Sequence, residues 1–452
     1  MTHIARSTLI IAFFFGVEKL LGFIRQVLVA RTFGLSRELD AFNAANNIPD
    51  LIFALISGGA LAIAFIPVLS EYLQKGGKPA AWDLFSRIAN LVFLCTAALS
   101  IIVAIFAPKM VRWGLGIAPG FTTVQQSLVV DLMRLNLFAT LLFSLSGLVM
   151  ASLQANQHFL LPAIAPSMYD LGALLGVTIL APQQGIQIGP LTLPAYGMGV
   201  YGLVYGIILG SVLFLVVQIP GMIRYQFHWT PAIGIRHPGV QQVLHLLAPR
   251  ILTVFCIQLV FLAQDNIASR LIEGTVSALV YGWLFMQVPE TLIGTALGTA
   301  LLPTISEHIT RREIDLFRHS LNSAVRVILA LTLPSMAILA IVIRPVIGIL
   351  GFDAAGTEIV VWTTRAYLLG LMGHSLMEVA ARAFYAQQDA RTPLIAAMAT
   401  TTTFILLAAS LAPRLGAPAF GLANATAYTA QAFALLYLVH RRFPGAFSLK
   451  AT

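Results

Sequence analysis

The sequence is poor in charge. Only 10% of its 452 residues are Asp, Glu, Lys or Arg, while 58% are hydrophobic. A soluble domain carries about 25% charged residues, and here apolar runs of about twenty residues recur along the whole chain. In lipid, a helix satisfies every backbone polar group within its own segment, so these runs predict helices. The composition therefore excludes a soluble globular protein and predicts an all-α polytopic membrane protein.

Cysteine and concentrated basic charge are scarce as well. The two cysteines, Cys95 and Cys256, lie inside apolar runs, so the sequence supports neither a disulfide framework nor a metal site. The net charge of +9 comes from basic residues in short loops, without the interleaved aromatic residues of a nucleic-acid surface. No Ser-His-Asp arrangement or phosphate-binding glycine loop occurs. We therefore expect no enzyme, no cofactor and no nucleic-acid partner.

A fifteen-residue segment that occurs twice organises the rest of the chain. Residues 58–72 and 294–308 share seven identities at a constant offset of 236, among them Pro67 with Pro303 and Glu71 with Glu307. A second similarity, at an offset of 231, relates residues 153–157 to 384–388. Similarity at a fixed offset predicts a duplicated architecture.

Twelve membrane spans are predicted, at about 8–31, 40–72, 84–107, 123–152, 158–181, 197–224, 241–271, 275–306, 318–343, 357–388, 393–411 and 418–439. The longest polar connection follows the sixth span. It predicts an N-terminal lobe over 1–228, a cytoplasmic linker over 229–240 and a C-terminal lobe over 241–452. Because an even number of spans separates the copies, we expect two six-helix lobes related by a parallel pseudo-two-fold repeat. The loops on one side hold about twice as many Lys and Arg residues, which predicts that both termini are cytoplasmic.

The interior of span one, before its last residue Arg31, carries three ionisable residues. Each such group within a membrane costs about 2.5–3.5 kcal/mol on insertion scales, so it should face a cavity or a partner. Glu18 and Arg25 share one helical stripe, and Lys19 lies on the adjacent one. We predict a site for an anionic headgroup, with Arg25 as the main contact and Lys19 as a second charge. The alternative is a structural ion pair of Glu18 with Arg25 or with Lys19.

Span two carries a polar stripe. Asp40, Asn43, Asn47 and Asp50 follow one another at intervals of three, four and three, and a helix facing lipid would not tolerate that stripe. It predicts the wall of a water-filled cavity that binds substrate, with Gln287 of span eight in the same lining. The alternative is polar contact between packed helices.

The second half of the chain adds further ionisable residues within spans. Asp265 in span seven and Glu290 in span eight are predicted candidates for coupling to a cation. An ion pair of Asp265 with a nearby arginine is the alternative. Glu378 and Arg382 lie four residues apart in span ten, a spacing that predicts a structural ion pair.

Several local motifs match one family in number and in order. They are Leu21-Gly-Phe-Ile-Arg25, Ala30-Arg-Thr-Phe-Gly34, Asp40-Ala-Phe42, Ala118-Pro-Gly-Phe121, Gly298-Thr-Ala-Leu-Leu-Pro303, Phe352-Asp-Ala-Ala-Gly356 and Arg382-Ala-Phe-Tyr-Ala-Gln-Gln-Asp389. Over about residues 15–440 the chain resembles the MurJ (MviN) lipid II flippase family, part of the multidrug/oligosaccharidyl-lipid/polysaccharide exporter superfamily. The resemblance implies two lobes around a central cavity and alternating access. It also implies an undecaprenyl-pyrophosphate-linked disaccharide-pentapeptide as substrate and a location in the bacterial cytoplasmic membrane.

By position, the resemblance assigns Lys19 and Arg25 to the family's cationic pair in helix one and Asp40 to its aspartate in helix two. The sequence departs from the family pattern elsewhere. In helix two, Phe53 stands where the family has an arginine, and Gly58 stands where it has a carboxylate. In helix eight, Trp283 and Leu284 stand in place of an Asp-Arg pair, and Gln287 stands in place of a further carboxylate. The 452 residues also leave no room for two additional C-terminal helices that flank a lipid-tail groove in this family.

These departures leave three functions open. The first is a flippase for lipid II or for another polyprenyl-pyrophosphate-linked sugar. The second is a cation-coupled exporter of small amphiphiles on the same fold, and the third is a membrane scaffold that does not transport. The retained Lys19 and Arg25 favour an anionic ligand, whereas the missing charges in helices two and eight favour the other two functions.

Overall fold

The computed structural model describes residues 3–56, 59–185, 187–188 and 191–443. π-Helical turns follow two of the helices: Gly176–Leu180 follows α6 and Thr291–Thr295 follows α10. A short antiparallel pair of strands, β1 (Gln187–Ile188) and β2 (Leu191–Thr192), precedes α7. The α-helices of the described ranges are α1 (His3–Phe33), α2 (Arg37–Ile56), α3 (Gly59–Lys75), α4 (Gly77–Arg112), α5 (Thr123–Ala155), α6 (Leu160–Leu175), α7 (Val200–Val216), α8 (Ile219–Arg224), α9 (Pro238–Ala268), α10 (Thr275–Glu290), α11 (Ala296–Thr310), α12 (Ile314–Gly348), α13 (Ala354–Leu368), α14 (Leu371–Ala386), α15 (Arg391–Leu415) and α16 (Pro418–Arg442).

Eight helical segments within the described ranges are long and apolar enough to cross a bilayer. They are Gly77–Arg112, Thr123–Ala155, Leu160–Leu180, Val200–Arg224, Thr275–Thr310, Ile314–Gly348, Arg391–Leu415 and Pro418–Arg442, and they correspond to eight of the twelve predicted spans. The other four predicted spans correspond to α1, the α2–α3 pair, α9 and the α13–α14 pair. Span ten divides at Gly370, where an added Cβ would lie 2.9 Å from the Cα of Ala425 in α16.

The described residues fall into two compact units. The first comprises those of Met1–Gly34, Ala41–Ile117 and Phe121–Phe255, and the second those of Leu35–Asp40, Ala118–Gly120 and Cys256–Thr452. Each unit has its own apolar core: α3, α4, α5 and α9 contribute to the first, and α11, α12, α14 and α16 to the second. The division into lobes at residues 229–240 stays a prediction.

The duplication extends well beyond the repeated fifteen-residue segment. Thr122 accepts a hydrogen bond from the backbone of Gln125 at the start of α5, and Asp353, 231 residues later, accepts one from Gly356 at the start of α13. One turn of loop is repeated as well, because Gln157 and Gln388 both have a left-handed backbone, with φ of 57° and 59°. At this offset α5 corresponds to the α13–α14 pair, and the start of α6 corresponds to the start of α15.

Glycines bring α6 and α7 into close contact and so fix the position of α6. A Cβ at Gly206 would lie 2.6 Å from the Cα of Gly176, and one at Gly210 would lie 2.5 Å from the carbonyl oxygen of Tyr169. Small residues of this kind let helices approach closely in a membrane, where apolar side chains alone give little net attraction. Since α6 also packs on α1, it presents Tyr169 and Asp170 to the charged stripe of span one.

Candidate functional site

A cavity of about 430 Å³ lies within the first compact unit. The helices α1, α2, α5, α6 and α7 all contribute to its wall. Its ionisable lining residues are Glu18, Arg25, Asp50 and Asp170. The structure therefore brings Glu18, Arg25 and Asp50 to one cavity, and adds α5, α6 and α7, which the sequence analysis did not assign to a cavity wall.

Arg25 is held by two consecutive residues of α6. Its Nη1 donates a hydrogen bond to the Tyr169 hydroxyl at 3.0 Å, and its Nε lies 3.4 Å from Oδ1 of Asp170. The guanidinium carbon also lies 5.3 Å from the centre of the Tyr169 ring, within the range of a cation–π contact. The Arg25 side chain keeps 23% of its surface exposed, against 4% for Asp170. The cation is thus paired but still reachable from the cavity.

Of the two ion pairs considered for Glu18, the structure forms the one with Lys19. Glu18 does not hold Arg25; it pairs with Lys19, whose Nζ lies 3.3 Å from Glu18 Oε2. Seven residues of helix separate Glu18 from Arg25 by about 10 Å along the axis, which is too far for direct contact. Lys19 is 59% exposed, lies over the Phe15 ring and does not line the cavity. Arg25 is therefore the one cation among the described residues that line this cavity.

The wall opposite span one is polar at one level. Asn136 of α5 donates a hydrogen bond to Asn46 of α2 at 2.6 Å, and both line the cavity. Asp50 lies one turn further along α2, is exposed, and has no hydrogen bond or ion pair with any described residue. The sequence analysis missed Asn46 and Asn136; the spacing of four between Asn46 and Asp50 is the signal that places Asn46 on this face.

Aromatic rings form the remainder of the wall. Phe143 of α5 lies in contact with the rings of Phe53, Tyr169 and Phe214, at centroid distances of 5.8, 5.2 and 5.8 Å. A second cavity of about 180 Å³ shares Glu18 and Pro166 with the first and is lined mainly by apolar residues, including Phe14, Phe15 and Phe159. A polar cavity and an apolar cavity therefore adjoin in the first unit.

Asp40, whose assignment to a substrate site stays a prediction, contacts the start of α10 in the structure. It is 2% exposed, and its oxygens accept hydrogen bonds from the backbone of Gly274 at 2.7 Å and from the backbone and hydroxyl of Ser277 at 2.8 and 2.7 Å. These groups form the first turn of α10, so Asp40 caps the N-terminus of another helix and its charge complements that helix's dipole. Asp40 does not line this cavity, and both of its carboxylate oxygens accept hydrogen bonds from the start of α10.

Asn43, Asn47 and Gln287, the other polar residues predicted to bind substrate, do not line this cavity either. Asn43 and Asn47 are half-buried and interact with other groups of the chain, whereas Gln287 is exposed. Their assignment to a substrate site stays a prediction. Asp265, a predicted coupling residue, is 6% exposed and also interacts with other groups.

Glu290, the other predicted coupling residue, belongs to a cluster in the second unit. The Thr295 hydroxyl donates to Glu290 Oε1 at 3.1 Å across the π-helical turn that follows α10. Glu378 and Arg382 form an ion pair nearby, and Arg382 lies over Gly298, where an added Cβ would be 2.8 Å from its Cδ. Gly298, which lies within the second copy of the repeated segment, thus leaves room for the Arg382 side chain.

Comparison with known proteins decides the family. The family model for the lipid II flippase MurJ matches residues 29–451. The chain belongs to the MurJ lipid II flippase family. The lipid II flippase MurJ of Burkholderia cenocepacia is 31% identical over 404 residues, which cover 87% of this chain and 75% of that protein. The probable lipid II flippase MurJ of Vibrio cholerae is 27% identical over 449 residues, 96% of this chain and 82% of that one.

Solved structures support the same fold. A lipid II flippase MurJ in an inward closed conformation matches with a TM-score of 0.80 at 24% identity, over 95% of this chain and 87% of that one. An inward-facing multidrug resistance transporter of the MATE family matches with a TM-score of 0.77 at 13% identity, over 96% of both chains. The predicted fold class, an all-α membrane protein with the two-lobe architecture of this superfamily, is confirmed.

The positions that depart from the MurJ family pattern have structural roles of their own. Phe53 joins the aromatic wall of the first cavity. Trp283 packs edge-to-face against Phe261, Tyr367 and His374, at centroid distances of 6.0, 5.8 and 5.5 Å. Aromatic contacts thus occupy the positions of Phe53 and Trp283, where the resemblance implies charged residues. Gly58 lies outside the described residues.

Proposed function

We propose that this chain moves a polyprenyl-pyrophosphate-linked glycan of the lipid II type across the cytoplasmic membrane by alternating access. Membership of the MurJ family supports the transport activity and the class of substrate. The proposal for the site rests on Arg25, a cation in a membrane-embedded cavity that has N–H groups still able to donate to a ligand. In this proposal both termini lie in the cytoplasm, as the distribution of Lys and Arg among the loops favours.

Arg25 has the hydrogen-bonding capacity that a pyrophosphate needs. A guanidinium has five N–H donors, and only one of them, on Nη1, donates to a described residue. The Nε atom is buried and has no hydrogen-bond partner, since Asp170 lies at 3.4 Å without the required geometry. Two parallel N–H groups of an arginine match two phosphate oxygens. We propose that the pyrophosphate takes over the guanidinium from Asp170, so that the charge has a partner with or without substrate.

The size of the cavity limits which part of the substrate it holds. At about 430 Å³ it lies in the lower part of the range of about 300–1,000 Å³ that small-ligand sites occupy. A pyrophosphate fits this volume, but a disaccharide with a pentapeptide does not. In our proposal the polar cavity receives the pyrophosphate, and the adjoining cavity lined by Phe14, Phe15 and Phe159 receives the first carbons of the polyprenyl chain.

The charges of the cavity give a reason for coupling to a cation. Three carboxylates, those of Glu18, Asp50 and Asp170, line it together with the single Arg25. Adding a pyrophosphate would place further negative charge in a region of low dielectric, at a high cost unless cations enter as well. We propose that Asp50 takes up a proton or a metal cation when substrate binds, beside the earlier candidates Asp265 and Glu290. Asp50→Asn should then weaken the dependence of transport on the ion gradient while leaving insertion intact.

The decisive experiment replaces Arg25 in cells depleted of their own lipid II flippase. Arg25→Ala should fail to restore growth although the protein accumulates in the membrane, and Arg25→Lys should restore it only in part, because an ammonium cannot bind two oxygens in parallel. Lys19→Ala tests the predicted second charge in the same assay: Lys19 lies six residues earlier and does not line this cavity, so its loss should impair growth less than the loss of Arg25. Full activity of Arg25→Ala would mean that the Arg25–Asp170 pair is structural and that the proposed site is elsewhere.

A further inference from the structure

The segment 225–237, between α8 and α9, is held along α4 by three polar side chains one turn apart. Trp82 Nε1 donates to the carbonyl oxygen of Tyr225 at 3.1 Å. Ser86 Oγ accepts from the backbone of Thr230 at 3.2 Å. Asn90 Nδ2 donates to the carbonyl oxygens of Thr230 and Ala232, both at 2.9 Å. Residues 225 to 232 therefore follow α4 from its first turns towards its middle.

The segment then turns and runs back along the same helix. Arg87 lies over Gly234, whose added Cβ would be 3.2 Å from the Arg87 Cδ. Asp83, which is ion-paired with Arg87, has His237 Nε2 at 4.0 Å, and the His237 ring lies 5.8 Å from that of Tyr72. The segment is thus a finger, here called the 225–237 finger, whose tip lies beside Asn90 and whose two ends lie beside Trp82 and Asp83.

The depth of the finger's tip in the membrane can be inferred from the sequence of α4. No residue from Ile88 to Pro108 is charged, while Arg87 and Lys109 bound the stretch. These twenty-one residues span about 31 Å of helix, which matches a hydrocarbon core of about 30 Å. Asn90 is the third residue of the stretch, so it lies about 3–5 Å inside the edge of the core. The finger therefore reaches the boundary between headgroups and acyl chains.

The outward face of the finger is apolar. Trp229, Ile233 and Ile235 are 60%, 58% and 57% exposed, and Pro231 between them is exposed too. Trp229 remains oriented because its Nε1 donates to Asn90 Oδ1 at 2.9 Å, which leaves the ring face outward. Inward, Phe227 packs against Trp82 and Phe85 at centroid distances of 5.5 and 5.1 Å. Irregular backbone occurs at membrane depth only where protein satisfies its polar groups, and here Ser86 and Asn90 do so.

Basic residues surround the base of the finger. Arg224 and Arg236 flank it and are exposed, and Lys78 Nζ donates to Gln226 Oε1 at 3.2 Å. The nearby Asp83 is already paired with Arg87. Basic groups near a bilayer surface attract anionic lipid. A tryptophan at the boundary with apolar residues below and cations above is the arrangement of an interfacial anchor.

We propose that the 225–237 finger is embedded in the bilayer beside α4, with Trp229, Pro231 and Ile233 against acyl chains, Ile235 at the headgroup boundary, and Arg224 and Arg236 on the phosphates of anionic lipids. The contact is a lipid-binding surface separate from the cavity of Arg25. It anchors the segment between α8 and α9 at a fixed level in the membrane.

The chain is well suited to a direct test, because it has only two cysteines to remove. In a Cys95→Ser, Cys256→Ser background, a nitroxide is attached at Ile233→Cys or, as a control at the base of the finger, at Gln226→Cys. The protein is placed in vesicles of phosphatidylcholine and phosphatidylglycerol, and power saturation compares collisions with oxygen and with a water-soluble nickel chelate. Oxygen should dominate at residue 233 and the chelate at residue 226. Dominance of the chelate at residue 233 would place the finger in water, and protection from both reagents would mean that protein covers it; either overturns the proposal.

Two further variants test what holds the finger and which lipid it contacts. Asn90→Ala should make residue 233 accessible to the chelate, whereas Ser100→Ala, which removes a buried hydroxyl elsewhere on α4, should not. With a fluorophore at residue 233, brominated phosphatidylglycerol should quench at least twice as strongly as brominated phosphatidylcholine. Arg224→Gln with Arg236→Gln should abolish that preference. Equal quenching by both lipids in the unaltered finger would refute the role of the two arginines.

Discussion

Arg37 Nε lies 2.7 Å from Oε2 of Glu273, a residue 236 positions further along the chain. This separation is the offset of the repeated segment, so Arg37, which precedes residue 58 by 21 positions, contacts the residue that precedes residue 294 by the same number. Three residues after Arg37, Asp40 caps the helix that begins after Glu273. The starts of α2 and α10 are thus joined by an exposed ion pair and by a buried cap.

The Asp40 cap should contribute more to the free energy of unfolding than the Arg37–Glu273 ion pair. Asp40→Ala removes an N-terminal cap and a charge that complements the helix dipole, and should lower the free energy of unfolding by about 2 kcal/mol. Arg37→Ala breaks an ion pair whose side chains are 60% and 46% exposed, and should cost only about 0–1 kcal/mol. Denaturant unfolding in detergent measures both, and Ser277→Ala, which removes one of the three hydrogen bonds to Asp40, should fall between them. Unchanged stability of Asp40→Ala together with lost transport would instead identify Asp40 as a substrate contact.

The glycine contact between α6 and α7 should not tolerate a methyl group. In Gly206→Ala the new Cβ would lie 2.6 Å from Gly176 Cα, so the helices must separate, at a cost of about 1–3 kcal/mol. Gly16→Ala in α1 is the matched control, because no atom lies within 4 Å of its added Cβ. That change should be neutral or stabilising by up to about 1 kcal/mol. Thermal unfolding of the two variants compares them directly, and equal midpoints would rule out close packing of α6 on α7.

The connection between α14 and α15 should contribute stability that depends on pH. Burial opposes ionisation of Asp389, but hydrogen bonds from the Thr392 hydroxyl and backbone and from Arg442 outweigh it and lower the Asp389 pKa from 3.8 to about 2. Because the folded pKa lies below the unfolded one, the stabilisation is fully present above about pH 4 and is lost as the pH falls towards 2. It amounts to at most about 2 kcal/mol.

Asp389→Asn tests this linkage. The variant should unfold at a lower temperature than the parent protein by the same amount at pH 5 and pH 7, and the difference should shrink between about pH 4 and pH 2. Arg442→Gln, which removes one donor to Asp389, should show a smaller version of the same pattern. A difference that grows as the pH falls would contradict the assignment.

The sequence alone was sufficient for the class and the repeat, and it indicated that Arg25 faces a cavity or a partner. Uncharged runs of membrane length leave no alternative to helices, because lipid offers no partner to a backbone N–H. The repeat could be recognised because identical residues, such as Pro67 and Pro303, recur at one offset. The structure adds capping residues and a left-handed turn that recur at a nearby offset. Arg25 was identifiable because a permanent charge in an apolar run is costly and therefore faces a cavity or a partner.

Only the tertiary structure decided which groups meet. Periodicity places residues on a face of their own helix, but the partner of a charge depends on which helix packs opposite. Arg25 therefore pairs with Asp170, 145 residues away, and not with Glu18 on its own stripe, because the glycines of α7 hold α6 close by. For the same reason Asp40 caps α10 instead of lining a cavity, and a connection that reads as a polar linker becomes a finger once Trp82, Ser86 and Asn90 satisfy its backbone. Such contacts join segments far apart in the chain, and no local pattern in the sequence encodes them.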